Sequence, residues 1–158
     1  MPEWIDADRE GTFPFLVRDR YEKTSEETPD LRYNCAAYAA GDESRWWQPL
    51  QPDDEEPIWS FWPAGVPHDG TLGSYIKAFE LSGFVLCDPG KEDGFERIAL
   101  YAHEDGLFTH AARQLPSGRW TSKLGDWEDI EHETPQLLEG GRPAYGFVWH
   151  YMKRPFTE

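Results

Sequence analysis

Cys35 and His110 are the two residues whose types and surroundings permit a defined chemistry. Cys35 follows Asn34 in the run Tyr33-Asn34-Cys35-Ala36-Ala37-Tyr38-Ala39-Ala40-Gly41. Asparagine is a favoured helix N-cap, so Cys35 is expected in the first turn of a short helix. There the free amides and the positive end of the dipole favour a thiolate, which makes Cys35 the expected reactive thiol. His110 lies in Thr109-His110-Ala111-Ala112-Arg113-Gln114, a segment patterned as a strand. A thiolate that attacks a carbonyl needs a base to shuttle its proton, a group to orient that base and donors for the oxyanion. By type, Cys35 is the nucleophile and His110 the base. A hairpin turning at Pro116-Ser117-Gly118 pairs Leu115 with Arg119 and Ala112 with Ser122, which sets His110 on the face of Ser122 and Trp120. Ser122 or Gln114 is then the orienting residue, and a one-residue slip would bring Lys123 there instead. Asn34 can donate to an oxyanion through its side chain. The opposing reading is that a free cysteine among alanines is a small core residue and a strand histidine is half-buried packing. Cys87, in a short apolar run, reads as structural.

The elements that must position these residues read as one domain over residues 1–158, with an N-terminal arm over 1–30 and a core over 31–158. In the arm, Trp4, Phe13, Phe15, Val17 and Tyr21 are scattered anchors. The Cys35 helix is expected to end at Gly41. From Asp42 to Gly70 the chain carries Pro49, Pro52, Pro57, Pro63 and Pro67, together with Trp46, Trp47, Trp59 and Trp62. That many prolines exclude a regular element, so the segment is expected to be an ordered irregular loop. Thr71 is expected to cap a second helix with Leu72, Tyr75, Ile76 and Phe79 on one face, stopped by Gly83. Strand patterns follow at 84–87, 97–102, 107–112, 119–124 and 145–152. The fold class is α+β: short N-terminal helices, then an antiparallel meander or small barrel.

Composition narrows the function classes. Thirty acidic against fifteen basic residues give a net charge of −15, a field that repels a phosphate backbone, so no nucleic-acid partner is expected. No apolar run approaches a membrane span and the first residues do not read as a signal peptide, so the expected location is cytoplasmic, with no membrane partner. In that compartment Cys35 and Cys87 are expected as free thiols rather than a disulfide. His103-Glu104 and His110 lack zinc spacing, and the run Asp126, Glu128, Asp129, Glu131, His132, Glu133 reads as a solvated face, so no metal is expected. Phosphate-binding glycine loops are also missing, so no cofactor is expected.

A cysteine at a helix start, a second helix and then antiparallel strands with a histidine at the head of one resembles the papain-like fold, in its NlpC/P60-type branch of cell-wall peptidases and amidases. The likeness covers roughly Cys35 to Leu124. It implies a thiol hydrolase with Cys35 and His110 in the catalytic roles. The third NlpC/P60 residue is usually polar, often histidine, on the strand after the catalytic histidine; this chain offers Ser122 or Lys123 there. Asn34-Cys35, Thr109-His110-Ala111-Ala112-Arg113, Gly118-Arg119-Trp120-Thr121-Ser122-Lys123-Leu124-Gly125 and Glu131-His132 also resemble a bacterial domain family of unknown function, which implies no activity.

Two function classes follow. The first is a cysteine hydrolase or acyl transferase acting on a peptide or other amide substrate, with Trp46, Trp47, Trp59, Trp62 and Trp120 as substrate-binding aromatics around the cleft. The second is a non-catalytic module that binds a peptide or protein partner through the tryptophan-rich loop over 42–70, with Cys35 as packing.

Overall fold

Among the described residues, side-chain caps set the starts of three α-helices: α1 (Ala7–Glu10), α2 (Cys35–Ala39) and α3 (Leu72–Glu80). Asp6, Asn34 and Thr71 accept from Asp8 N, Ala37 N and Ser74 N through their side chains, each satisfying a donor that has no partner inside its helix. Asp69 reinforces the third cap by accepting from Ser74 Oγ at 2.6 Å, and these bonds hold its carboxyl down near a pKa of about 2. Gly41 and Gly83, at φ 78° and 97°, take the left-handed conformation just past the ends of α2 and α3. The computed structural model describes residues 4–24, 34–42, 46–47, 60–90, 92–124 and 128–156.

Nine strands complete the described chain: β1 (Tyr21–Lys23), β2 (Trp46–Trp47), β3 (Ser60–Phe61), β4 (Val85–Cys87), β5 (Phe95–Ala102), β6 (Phe108–Gln114), β7 (Trp120–Lys123), β8 (Asp129–His132) and β9 (Phe147–Pro155). Seven form an antiparallel sheet in the order β1-β8-β7-β6-β5-β9-β4. The middle is a meander from β5 to β8. It is interrupted as a simple meander by β9, which returns to pair with the other side of β5. The remaining two strands, β2 and β3, pair parallel inside the segment expected to hold no regular structure. Prolines do punctuate that segment, yet one two-residue strand precedes Pro49 and the other fits between Pro57 and Pro63.

Strand alternation divides the interior into two cores, one on each side of the sheet. Ile98, Leu100, Ala102 and Ala111 point to one side, where α2, α3 and Trp47 cover them. Ala99, Tyr101 and Ala112 point to the other, where Ile5, Phe13, Leu16 and Tyr21 of the arm and Leu137 and Leu138 of a 3-10 turn (Pro135–Leu138) cover them. The arm supplies Ile5, Phe13, Leu16 and Tyr21 to the second core, and the edge strand β1 to the sheet. Among the described residues, no helix is long and apolar enough to cross a membrane.

Candidate functional site

The position of α2 decides what Cys35 can do. Ala36, Ala37 and Ala39 press the helix against Ala111 and the first core, and Tyr38 OH bonds Thr121 Oγ1 at 3.0 Å. Arg113 lies over the Tyr38 ring at 4.9 Å. Thr121, Arg113 and Ala111 are therefore the residues of β6 and β7 that face α2. Cys35 sits against the Ala111 backbone and near Lys123, which also points to this side. Burial outweighs the nearby amides and the Lys123 charge and pushes the thiol up to about 11, the opposite of the thiolate expected at a helix start.

His110 faces the other way. It is adjacent to Ala111 in the strand, so its ring emerges into the second core, stacked on Tyr145 at 4.1 Å and 5.1 Å from the Tyr101 ring. The expected Cys35–His110 pair is thus not formed: the sheet stands between the thiol and the imidazole. Nor is His110 at a cleft, since it is 0% exposed. The hairpin register is as the turn residues imply, with Arg113 opposite Thr121 and Gln114 opposite Trp120, and it brings Ser122 Oγ to 3.0 Å from His110 Nε2. A residue read as part of a solvated charge run completes the group. His132 Nε2 is 2.8 Å from Ser122 Oγ, and its Nδ1 is 2.9 Å from Thr134 O. The alternation of Ile130 and His132 with Asp129 and Glu131 was the available signal for this strand. Burial drives both imidazoles below the usual range, His132 to about 4 and His110 well below its ordinary value. Gly146, at φ 81°, keeps Tyr145 in place: a Cβ there would lie 2.3 Å from Ala102 O.

Most other candidate residues are occupied by structure. Asn34 uses Oδ1 to accept from Ala37 N and Trp47 N and donates Nδ2 to Trp47 O at 2.6 Å, so its amide is not offered to an oxyanion. Gln114 Nε2 donates to Gly118 O within its own hairpin rather than orienting His110. Trp47 is core, and Trp62 packs edge-on to Tyr75 at 4.8 Å. Trp120 is buried in the second core, edge-on to Tyr151 at 6.0 Å. The side chain of Trp46 and all of Trp59 lie outside the described residues.

Thiol labelling separates these geometries. Cys87 is on the edge strand β4 and receives Arg97 Nη1 at 2.9 Å, and the charges of Arg97 and Lys153 partly oppose the upward push of its own burial. Burial holds Cys35 as the neutral thiol near pH 8, with the Ala111 backbone against it. Iodoacetamide is expected to modify Cys87 first, by roughly ten-fold or more in rate. Mass mapping of limited alkylation reads the order, and faster labelling of Cys35 would restore an activated thiol.

An open groove of about 720 Å³ lies on the second-core side, between the arm and the 3-10 turn. Pro14, Phe15, Val17 and Leu137 give it an apolar surface, and Asp19, Glu139, Arg20, Thr134 and Gln136 supply its polar groups. Phe15 and Val17 are 54% and 44% exposed although their neighbours Phe13 and Leu16 are core. Among the described residues, no three His, Cys, Asp or Glu side chains gather as a metal site.

An antiparallel sheet with two helices on one face and an arm on the other defines an α+β domain. The chain belongs to the DUF7689 family, a domain of unknown function, whose model matches residues 22–153. That span holds Cys35, His110, Ser122 and His132; the turn wall of the groove falls inside it and the arm wall precedes it. No curated protein and no solved structure matches the chain.

Proposed function

We propose that this domain is a non-catalytic module that binds a peptide segment of a partner protein in the groove between the arm and the Pro135–Leu138 turn. The observation that carries the reading is the half-exposed pair Phe15 and Val17 walling an open groove, with Leu137 and Pro14 beside them. Apolar side chains held at a surface by a rigid scaffold gain most when a partner covers them. Asp19 and Glu139, on a chain of net charge −15, favour a peptide with a basic residue next to an apolar one. The tryptophan-rich segment is not the surface chosen, because Trp47 and Trp62 are spent on the first core. Nor is a cysteine hydrolase or acyl transferase chosen, because Cys35 and His110 occupy opposite sides of the sheet.

Peptides selected from a random phage-displayed library against the whole chain test the proposal. The selected sequences are expected to pair lysine or arginine with a large apolar residue. Their affinity should fall at least roughly ten-fold in the Phe15→Ala/Val17→Ala variant. Since both side chains are already about half in water, the melting temperature should move by only a few degrees. Equal binding by the variant would remove the groove from the reading.

A further inference from the structure

One backbone carbonyl decides every hydrogen-bond direction in the buried histidine chain. Thr134 O, 2.9 Å from His132 Nδ1, can only accept, so Nδ1 carries the proton and Nε2 of the neutral ring is a lone pair. Ser122 Oγ, 2.8 Å from that Nε2, donates its single proton to it. The 3.0 Å contact between His110 Nε2 and Ser122 Oγ is then made by the His110 N–H donating. Nδ1 of His110 is left a buried lone pair with no partner among the described residues.

That lone pair is on a ring nitrogen that can take up a proton without breaking a hydrogen bond of the chain. A proton bound at His110 Nδ1 lets Nε2 release its own to Ser122 Oγ while Ser122 passes its hydroxyl proton to His132 Nε2. His110 has then changed tautomer, Ser122 is again a hydroxyl, and the positive charge rests on His132, which still donates to Thr134 O. The charge has moved from the interior strand β6 toward the sheet edge. On β8, His132 is covered by Tyr21 of β1, a three-residue edge strand, and is followed by the turn that walls the groove.

Apart from Thr134 O, which favours a charged His132, the groups around the rings give an imidazolium no compensation. Tyr101 from β5 donates its hydroxyl to Pro135 O, and Tyr145 stacks its ring on His110. Tyr21 from β1 is bonded to Glu10 of α1, whose carboxylate also takes the Arg18 guanidinium. Arg119, at the head of β7, is paired with Glu131, and its charge opposes protonation of His132. Among the described residues, neither ring forms an ion pair with a carboxylate. The route left for a charged His132 is water, and lifting β1 and the turn exposes it at the smallest loss of sheet.

We propose that the His110–Ser122–His132 chain is an acid-operated latch whose protonation releases β1 and the Pro135–Leu138 turn before the rest of the sheet opens. Its consequence for ligand binding rests on the groove reading, because that turn is one groove wall. In the released state His132 binds its proton at the ordinary histidine pKa, so each fall in pH below about 6.5 favours release.

Amide exchange on the full chain, expressed as protection factors, tests the latch. Between pH 7 and pH 5, protection of the Glu133 amide on Arg20 O and the Thr24 amide on Asp129 O is expected to fall roughly ten-fold or more and to stay well below that of the β5–β9 ladder, which exchanges only through global unfolding. His132→Gln should leave the first two amides insensitive to pH over this range. If that variant does not fold, imidazole 15N spectra of the unsubstituted chain decide: the latch requires His110 protonated at Nε2 and His132 at Nδ1 at pH 7. Equal protection of both sets of amides at pH 5, so that both open only with the whole sheet, or the reverse tautomers, overturns it. A library peptide that ignores the groove variant refutes the binding site and leaves these exchange results unchanged.

Discussion

Trp47→Ala is expected to lower stability by about 3 to 5 kcal/mol, the cost of removing a large aromatic from a packed core. The indole is 2% exposed, with Phe61 at 5.4 Å and Phe79 at 5.7 Å from its ring centre. Its Nε1 donates to Asp42 Oδ2 at 3.0 Å, just beyond the end of α2, so alanine also leaves that carboxylate without this donor. The Trp47 backbone is bound on both its N–H and its C=O by Asn34. One residue therefore ties these elements together, the backbone of Trp47 holding the cap of α2 and its indole packing on Phe61 of β3 and Phe79 of α3. Urea unfolding followed by circular dichroism measures the loss. Trp62→Ala should cost clearly less, since Trp62 is only partly buried at the margin of the same core. If Trp47→Ala changed the midpoint by less than the Trp62 variant while abolishing peptide capture, the tryptophan segment would regain its role as a recognition surface.

The helices were legible because local chemistry determines them. Asn34 and Thr71 are caps whichever sheet they stand beside, and Gly41 and Gly83 stop their helices for a reason internal to the backbone. The β6–β7 register was legible for the same reason: Pro116-Ser117-Gly118 determines the turn, Leu115 N reaches Arg119 O at 2.7 Å, and His110 meets Ser122. Which side of the sheet receives α2 is a tertiary choice with no local signature. The alanines Ala36, Ala37 and Ala39 fit closely over Ala111, and once that face is taken the period of two sends His110 to the opposite core. Strand β8 escaped notice because its polar residues outnumber its apolar one, although Ile130 and His132 alternate with Asp129 and Glu131 as a strand requires. Phe15 and Val17 looked like anchors by type. Phe13 and Leu16 are the residues that enter the core, which leaves the other two to the groove.

Stability is expected to fall steeply as pH drops from about 6.5 toward 4, well before most carboxylates titrate. His110 and His132 are both 0% exposed, and burial holds their folded pKa values below those of the unfolded chain. A group with a depressed folded pKa is protonated in the unfolded state first, so the unfolded chain binds more protons and acid favours it. The histidine contribution is complete above about pH 7 and is lost as pH falls through 6.5. For His132 the loss continues to about 4, and that interval at about 1.4 kcal/mol per pH unit amounts to about 3 kcal/mol. His110, whose pKa burial also holds well below the ordinary value and whose Nδ1 has no carbonyl partner among the described residues, adds to the same slope. Urea midpoints at half-unit steps from pH 7.5 to 4.5 supply the curve. Its steepest part should approach two protons taken up per molecule unfolded, and His132→Gln should remove about one of them. A flat profile down to pH 5 would mean that at least one imidazole reaches water or a carboxylate in the folded protein, and the buried chain would then be neither an acid sensor nor a source of stability.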